Sequence, residues 1–277
     1  MPQSLSIADL VAQVGSGLTP TERSIAEVVL REPTLLAFGT VSELAQRVGT
    51  SRPSIVRFAH KLGLDGYTEL QEHARGEVSQ LLTRPSDRIR RAQESDDTVR
   101  ATIEGALDAV FSLVDTKQLE GLAKPVVSAR QVWVLSGETS RAGAHAFHSG
   151  LSIVRPGVHL LNDRSIGADL GEAAPGDTAV VFDFFRYRRL VVTATQALSD
   201  AGVHVIAITD SPLSPLVALA DAWCEIKVPA VGPFDSSVPV VAVAELLVSR
   251  VAKELHDDAT ARVDRIESLW EKTEVFL

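Results

Sequence analysis

The sequence contains one cysteine, Cys224, among 277 residues, which excludes an intrachain disulfide and fits a reducing compartment best. Its first ten residues contain Asp9 and no lysine or arginine, which is unlike a secretory signal. The longest apolar run, residues 238–248, is interrupted by Glu245, so the sequence offers no membrane-spanning helix. We therefore expect a soluble protein of the cytoplasm, with Cys224 as a buried thiol on a strand.

The net charge of −9 excludes a protein that is basic throughout, but the charge is unevenly distributed. Residues 1–91 hold 11 Lys and Arg against 10 Asp and Glu, a net +1, whereas residues 92–277 hold 16 against 26, a net −10. The acidic part repels polyanions, so we expect any contact with nucleic acid in the N-terminal part. The length and the hydrophobic content of 45% are sufficient for two globular domains.

A helix, a tight turn and a second helix are predicted between residues 40 and 62. Thr40 followed three residues later by Glu43 is a capping-box pattern, so the first helix is expected to begin directly after Thr40. Gly49 is expected to end this helix in a left-handed conformation. Thr50 or Ser51 is then expected to accept hydrogen bonds from the first N–H groups of the second helix.

The second helix combines an apolar inner face with a basic outer face. The residues expected to face inward are Ile55, Phe58, Ala59 and Leu62. Cationic and hydroxyl side chains, with no acidic residue in the segment, suit the phosphates and base edges of a DNA major groove. The alternative is a helical hairpin with a solvated basic face. The predicted DNA-binding residues are Thr50, Ser51, Arg52, Ser54, Arg57, His60 and Lys61, and we expect Arg52, Ser54 and Arg57 to carry most of the contact.

The remaining N-terminal sequence also predicts helices. These cover residues 7–14, a segment beginning with Thr19-Pro20 and stopped by Pro33, a short turn at residues 34–38, and residues 68–82. Residues 83–87 combine a proline with polar residues at a change of composition, which is typical of a linker. A helix is then expected from about residue 97 to residue 114.

From residue 131 the pattern changes to five short apolar or β-branched runs separated by helical patterns. The predicted strands are residues 132–135, 158–161, 178–182, 203–208 and 223–228, and helices over residues 239–255 and 261–273 close the chain. This alternation predicts a parallel sheet covered on both faces. Ligands are expected at the carboxyl ends of its strands.

Polar residues follow several of these strands and form the predicted effector site. The turn after the first strand opens a helix, where backbone N–H groups favour an anion. Arginines after the third strand offer two-pronged contacts to a carboxylate or phosphate, with a solvated helix start as the alternative. Neighbouring aromatic side chains suit an apolar or planar ligand portion, although Phe184 and Phe185 also fit a buried core. The predicted effector-binding residues are Ser136, Gly137, Thr139, Ser140, Arg186, Tyr187, Asp210, Ser211, Ser236 and Ser237.

Taken together, the chain resembles the RpiR-type (MurR/RpiR) family of bacterial transcriptional regulators, in which a helix-turn-helix precedes a sugar isomerase (SIS) domain. The resemblance covers nearly the whole chain and rests on Leu18-Thr19-Pro20-Thr21-Glu22-Arg23, on residues 41–62 followed by Gly63-Leu64-Asp65-Gly66-Tyr67, and on the five-strand pattern. It implies an all-α helix-turn-helix domain at residues 1–82, a linker at 83–96, and an α/β SIS domain for effector binding and oligomerisation at 97–277. This SIS domain would hold a parallel five-stranded sheet flanked by helices.

Two loops that cradle a sugar phosphate in typical SIS domains differ in this sequence. The Gly-x-Gly-x-Ser turn of the family is Ser136-Gly137-Glu138-Thr139-Ser140 here and keeps only Ser140 at its matching place. The family's Ser-x-Ser-Gly-x-Thr loop becomes Asp183-Phe184-Phe185-Arg186-Tyr187. The resemblance implies a regulator that binds double-stranded DNA, in a palindromic operator, as a homodimer or homotetramer. Its SIS domain would sense a small anionic metabolite, such as a sugar phosphate, a sugar acid or a related carboxylate.

Other functions remain open at this stage. A sugar-phosphate isomerase with an appended helical domain would need an acid/base pair at the strand ends; Glu245 is the one candidate base, and we predict no catalytic residues. His145 and His148 share a helical face without a third ligand nearby, so we predict no metal site and no cofactor. The second part of the chain is alternatively a dimerisation module with an empty crevice. The expected oligomer surfaces are the apolar helix at residues 103–114 and the C-terminal residues Leu269, Trp270, Val275, Phe276 and Leu277.

Overall fold

The computed structural model describes residues 7–82, 85–91, 95–138, 140–161, 166–212 and 214–276. It divides the chain into two compact units, Met1–Arg88 and Ile89–Leu277.

The described part of the first unit is helical, as predicted. Its helices are α1 (Ile7–Val14), α2 (Pro20–Arg31), α3 (Pro33–Phe38), α4 (Val41–Val48), α5 (Arg52–Lys61) and α6 (Tyr67–Leu82), with a short 3-10 turn at Gly15–Gly17. Helices α2 and α4 both begin with a capping box, made by Thr19 with Glu22 and by Thr40 with Glu43. One apolar core joins the six helices, with Ile25, Leu36, Leu44, Phe58 and Leu70 fully buried.

Helix α7 (Pro85–Arg91) lies inside the segment for which the sequence predicted a linker. The proline that marked a break in the sequence is the first residue of this helix, a position where its missing N–H group costs no hydrogen bond. The boundary between the two units falls within α7, between Arg88 and Ile89. The boundary therefore lies inside the predicted linker, and residues 85–91 of that linker are helical.

Two helices open the second unit. Helix α8 (Asp96–Leu113) agrees closely with its prediction and is capped by Ser95, whose hydroxyl accepts the N–H of Thr98. Helix α9 (Thr116–Ser128) was not predicted, because Gly121 and Pro125 interrupt its helical pattern. It is fixed by Asp115, which caps its start, and by apolar residues buried in the core of the unit.

All five predicted strands are present and form one parallel sheet. They are β1 (Val132–Ser136), β2 (Val158–Leu160), β3 (Thr178–Phe182), β4 (His204–Thr209) and β5 (Ala222–Glu225), in the order β2-β1-β3-β4-β5. Alternate residues face opposite sides of the sheet, so Val134 and Val180 belong to one apolar core whereas Leu135 and Val181 belong to another. This confirms an α/β unit whose sheet is covered on both faces.

Helices and a small hairpin complete the second unit. The helices are α10 (Arg141–Val154), α11 (Ile166–Gly171), α12 (Arg189–Asp200) and α13 (Val238–Lys272), with a 3-10 turn at Val217–Leu219. The hairpin of β6 (Ala230–Val231) and β7 (Phe234–Asp235) was not predicted. The two helices predicted at the end of the chain follow each other within α13. A kink at His256, where φ is 27° and ψ is −89°, separates them.

Helices α10 and α13 pack closely at their starts. A Cβ atom on Gly143 in α10 would lie 2.3 Å from Cγ1 of Val240 in α13, so glycine permits the close approach of these two helices. Since both residues belong to the first turn of their helices, the starts of α10 and α13 are neighbours. Cys224 lies buried in β5, as predicted, and burial raises the pKa of its thiol to about 12.

Candidate nucleic-acid and effector sites

Local hydrogen bonds fix both ends of α4, including the turn that leads to α5. The Thr40 hydroxyl accepts the N–H of Glu43 at 3.2 Å, and the Glu43 carboxylate accepts the N–H of Thr40 at 2.7 Å. Gly49 adopts the left-handed conformation with φ 75° and ψ 36°. The N–H of Thr50 then donates to the carbonyl of Ala45 at 2.9 Å, which closes the end of α4. The predicted start and left-handed end of α4 are confirmed.

Helix α5 places a polar row on its outer face. Its inner face is fully buried and consists of Ile55, Phe58 and Ala59. On the outer face the hydroxyl oxygens of Ser51 and Ser54 lie 2.9 Å apart, and Nη2 of Arg57 donates to the Ser54 hydroxyl at 3.1 Å. These three residues lie three positions apart along the chain, so successive members are neighbours on the helix surface, and we call them the Ser-Ser-Arg row. Within this row the side chain of Arg57 is exposed, and Arg52 is exposed at the start of the same helix.

The capping role expected of Ser51 is not observed. Ser51 occupies the N-cap position of α5, but its side chain accepts no N–H group of the helix. The Ser51 hydroxyl instead contacts the hydroxyl of Ser54, so a contact between two side chains replaces the expected cap. Thr50 is half-buried in the turn, whereas His60 is exposed at the other end of α5 with Nδ1 3.1 Å from the carbonyl oxygen of Leu64.

Lys61 is directed into its own unit. Its ammonium group donates to Oε2 of Glu22 at 2.7 Å, and both side chains are mostly shielded from solvent. The same Glu22 oxygen accepts the N–H of Thr19 at 2.7 Å. The hydrogen bond from Lys61 is the largest of the causes that lower the pKa of Glu22 to about 2. Lys61 therefore connects α5 to the start of α2.

The carboxyl ends of the strands bring several predicted effector residues to one edge. Ser136 ends β1, and the N–H of Gly137 donates to the carbonyl of Phe182 at the end of β3, at 3.0 Å. The N–H of Asp183 donates to Ile208 of the neighbouring strand β4 at 3.2 Å, so Asp210 follows at the same edge. The start of α13, with Ser236 and Ser237 before it, adjoins the start of α10.

The loop between β3 and α12, residues 183–188, is held by Asp183. This carboxylate is 1% exposed and accepts the N–H of Phe184 at 3.1 Å and the N–H of Arg188 at 2.9 Å. Burial raises the pKa of Asp183 to about 6, and the charge of Asp210 adds to this, whereas the two N–H donors act in the opposite direction. Asp183 was outside the predicted site, although a carboxylate directly after a buried strand was a signal for it.

Asp210 holds the same loop from the end of β4. It accepts the N–H of Phe185 at 2.8 Å and the hydroxyl of Tyr187 at 2.6 Å. Burial is the main cause that raises the pKa of Asp210, and burial together with the Asp210 charge raises the pKa of the Tyr187 hydroxyl. Tyr187 and Asp210, predicted as effector residues, are thus brought together and hydrogen bonded. Phe184 is a core residue, in agreement with the alternative considered for it.

The exposed part of the edge carries a cluster of opposite charges. Oε2 of Glu138 lies 2.6 Å from the Arg188 guanidinium, and Oε1 lies 3.5 Å from Arg141 in the first turn of α10. Near the start of α10, where an anion was expected, the two guanidinium groups of Arg141 and Arg188 are thus paired with the chain's own Glu138 carboxylate. Arg186 is exposed nearby in the loop with φ 73°, a left-handed conformation that is uncommon outside glycine.

The role expected of Ser140 is contradicted by its position. Its side chain is fully buried, and its hydroxyl donates to the carbonyls of Phe182 at 2.6 Å and Gly137 at 3.3 Å, so it is not available to a ligand. Ser236 is also buried and its hydroxyl accepts the N–H of Val238. Gly137 is buried, and the half-buried positions among the predicted effector residues are Ser136, Tyr187, Asp210, Ser211 and Ser237. Thr139 lies outside the described residues.

Two family models match the chain. The model of the helix-turn-helix domain of the rpiR family matches residues 5–81, and the model of the SIS domain matches residues 140–250. The chain belongs to the RpiR family of transcriptional regulators. In this family context α4, the Gly49 turn and α5 are the helix-turn-helix.

Relatives of this RpiR-family chain are described as HTH-type transcriptional regulators. An uncharacterized HTH-type transcriptional regulator of Caldanaerobacter subterraneus subsp. tengcongensis is 24% identical over 263 residues, which cover 90% of this chain and 91% of the relative. The HTH-type transcriptional regulator HexR of Pseudomonas aeruginosa is 25% identical over 223 residues, which cover 76% and 75% of the two chains.

Solved structures share the fold. The sugar isomerase domain of the RpiR transcription factor from Sphaerobacter thermophilus is 22% identical with a TM-score of 0.59, covering 64% of this chain and 99% of that domain. The Vibrio vulnificus NanR protein, complexed with ManNAc-6P, is 16% identical with a TM-score of 0.59, covering 96% and 98% of the two chains.

The described part of this RpiR-family chain contains neither a cluster of metal-ligating side chains nor a membrane-spanning helix. Among the residues that the structure describes, no three His, Cys, Asp or Glu side chains are grouped so that they could hold a metal ion. Within the same ranges no helix has the length and apolar character needed to cross a bilayer. Glu245, the candidate base in the sequence, is exposed on α13.

Proposed function

We propose that this RpiR-family regulator contacts its operator through the outer face of α5, chiefly with Arg52, Ser54 and Arg57. The operator is double-stranded and palindromic, and the protein binds it as a symmetric homodimer or homotetramer. The SIS domain at residues 97–277 senses a small anionic metabolite at the carboxyl edge of its sheet and supplies the contacts between subunits.

The observation that carries the DNA contact is the Ser-Ser-Arg row. Each of its polar side chains lies on the outer face of α5, and the Ser54 hydroxyl, at 3.1 Å, holds the Arg57 guanidinium along that face. An arginine that is already oriented loses less side-chain freedom when it binds a base edge or a phosphate. The exposed Arg52 adds a second positive charge at the start of the same helix.

Gel-shift titration of the full-length protein tests this contact. The probe is DNA selected from a random library by the wild-type protein. Arg57→Ala should weaken binding by about 1–3 kcal/mol if Arg57 contacts a base, and Arg52→Ala should weaken it as well. Arg31→Ala is the matched control, because Arg31 is exposed on α2, where it pairs with Glu27. Unchanged binding by both Arg52→Ala and Arg57→Ala proteins would rule out this face.

The charge at the carboxyl edge supports an anionic effector. The guanidinium groups of Arg141 and Arg188 both reach the half-exposed Glu138 carboxylate, so this edge already holds one carboxylate between two arginines. NanR, which shares the fold, is complexed with a sugar phosphate, and this favours a ligand role for the SIS domain. Candidate effectors are sugar phosphates, sugar acids and related carboxylates.

The isomerase alternative is less well supported. An isomerase needs an acid and a base that reach the substrate from the crevice. Asp183 has a raised pKa but is 1% exposed, and both its oxygens accept N–H groups of its own loop. The Tyr187 hydroxyl is likewise engaged by Asp210. Turnover of ketose or aldose phosphates by the purified protein would favour the enzyme over a pure regulator.

A further inference from the structure

Three backbone N–H groups of the loop at residues 183–188 already have acceptors within the chain. The N–H groups of Phe184 and Arg188 donate to the two oxygens of Asp183, and the N–H of Phe185 donates to Asp210. Converging N–H groups at the start of a helix such as α12 are the feature with which proteins bind phosphate groups. Here two carboxylates of the same chain accept those hydrogen bonds, so a bound phosphate would have to replace them.

The space beside this loop is filled as well. A Cβ atom built on Gly137 would lie 2.0 Å from Oδ1 of Asp183 and 2.8 Å from its Cγ, so the carboxylate rests directly on the backbone of the loop after β1. On the same side the buried Ser140 hydroxyl donates to the carbonyl of Phe182 at 2.6 Å. These contacts close the loops after β1 and β3 onto each other, with Asp183 between them.

The charge of Asp183 opposes a second anion at this place. The side chain is 1% exposed, so solvent screens its charge poorly, and Asp210 lies close enough to influence it. A phosphate ester carries about −1.5 to −2 charges at neutral pH. Placing a phosphate ester against an ionised and buried carboxylate is therefore unfavourable. A ligand that does not approach this loop avoids that repulsion.

We propose that Asp183 fills the anion position of the β3–α12 loop from within the chain and thereby excludes phosphate esters from the edge. The effector of this regulator is then a metabolite without a phosphate ester. This inference rests on the proposed function, in which the carboxyl edge of the sheet binds the effector. It narrows the candidate effectors to those without a phosphate group.

Thermal unfolding of the full-length protein at pH 8, where Asp183 is ionised, tests this inference. The probes are inorganic phosphate, glucose 6-phosphate and N-acetylmannosamine 6-phosphate, each compared with its unphosphorylated sugar or with chloride at equal ionic strength. The variants are Asp183→Ser and Asp183→Asn, which remove the charge with smaller and with equal side-chain volume. Asp200→Ser is the matched control, because it removes an exposed carboxylate from the far end of α12.

We expect no phosphate-dependent change in Tm for the wild-type and Asp200→Ser proteins. In the Asp183→Ser or Asp183→Asn protein, the phosphate esters should raise Tm by several degrees. The apparent affinity of these variants for the phosphate esters should be about tenfold higher or more. Stabilisation of the wild type by a phosphate ester would overturn the inference, and so would variants that fold, by circular dichroism, yet show no gain. Operator gel shifts on the same samples distinguish this inference from the proposed DNA-binding function. If the Asp183 variants bind the operator normally but phosphate esters do not raise their Tm, only the role of Asp183 is rejected.

Discussion

The ammonium group of Lys61 at the end of α5 lies 2.7 Å from Oε2 of Glu22 at the start of α2. Lys61 also donates to the carbonyl of Gly17 at 2.6 Å. Glu22 belongs to the capping box of α2, so a single carboxylate serves both the cap and the contact between helices. We therefore expect Lys61, which the sequence grouped with the DNA-binding residues, to hold α5 against the start of α2 and not to contact DNA.

The salt dependence of operator binding distinguishes these two roles of Lys61. Each phosphate contact contributes about 0.9 to the slope of log affinity against log salt concentration, because it releases condensed cations. Lys61→Met should lower affinity through a less fixed α5 and leave this slope unchanged. Lys61→Arg should restore part of the affinity. If Lys61→Met reduced the slope by about one, the side chain would contact a phosphate after all.

The ion pair of Lys61 with Glu22 should also appear in the pH dependence of stability. The pKa of Glu22 lies near 2 in the folded protein and near 4.5 when unperturbed, so the folded state favours the charged form. Its contribution is complete above about pH 4.5 and is lost as the pH falls towards 2. Because the pair is partly exposed, we expect about 1 kcal/mol or less.

Urea unfolding followed by helix circular dichroism measures this contribution. The free energy of unfolding of wild-type protein should exceed that of Glu22→Gln at pH 7, and the difference should shrink at pH 3. Glu27→Gln is a suitable control, because Glu27 lies on the same helix in an exposed pair with Arg31. A Glu22→Gln difference that is the same at pH 7 and pH 3 would contradict the assigned pKa.

Glycine substitutions test the packing of α10 against α13. Gly143→Ala places a Cβ atom 2.3 Å from Cγ1 of Val240, and this overpacking should destabilise the second unit by about 1–3 kcal/mol. Gly105→Ala in the exposed face of α8 meets nothing within 4 Å and should stabilise the protein by about 0.5–1 kcal/mol. All three tryptophans belong to the second unit, so tryptophan fluorescence during urea unfolding reports both changes. Equal effects of the two substitutions would mean that α10 and α13 can separate without loss.

Local sequence signals predicted much of this fold. Thr19 with Glu22 and Thr40 with Glu43 marked the starts of α2 and α4, because a capping box depends on residues three positions apart. The five strands were found because apolar runs between turn residues are also local. Helix α9 was missed, since Pro125 is unfavourable in a helix on local grounds. Its apolar face is buried against the rest of the unit, which compensates for the proline.

The candidate effector site was harder to predict because it depends on contacts between distant segments. The sequence grouped Ser140 with ligand-facing hydroxyls, but the hydroxyl donates to Phe182, 42 residues away. The importance of Asp183 follows from its contact with the Gly137 backbone, which only the packing of two loops reveals. Spacing along the chain predicted which residues gather at the carboxyl edge of the sheet, whereas the direction of each side chain required the structure.

Exposed apolar side chains on α8 and at the C-terminus are the expected contacts between subunits. Val110 of α8 and Val114 directly after it are buried within the unit, whereas Phe111 and Leu113 of α8 are 58% and 53% exposed. At the C-terminus Phe276 is 70% exposed and packs edge-on against Trp270, with ring centroids 5.4 Å apart. Apolar side chains that remain exposed next to one another are typical of surfaces at which subunits meet, so we expect contacts at these two places.

Light scattering of the full-length protein at micromolar concentration should give the mass of a dimer or a tetramer. Phe111→Ser and Phe276→Ser test the two surfaces separately, and Leu190→Ser, an exposed apolar residue on α12, is the control that should leave the mass unchanged. A variant that lowers the mass should also lose affinity for a two-half-site operator, because two recognition helices must be held ~34–36 Å apart or a multiple of that. It should retain the weaker binding of a single half-site. A wild-type monomer at this concentration would contradict the symmetric oligomer, and a monomeric variant with full operator affinity would show that the subunit contact does not set the spacing of the recognition helices.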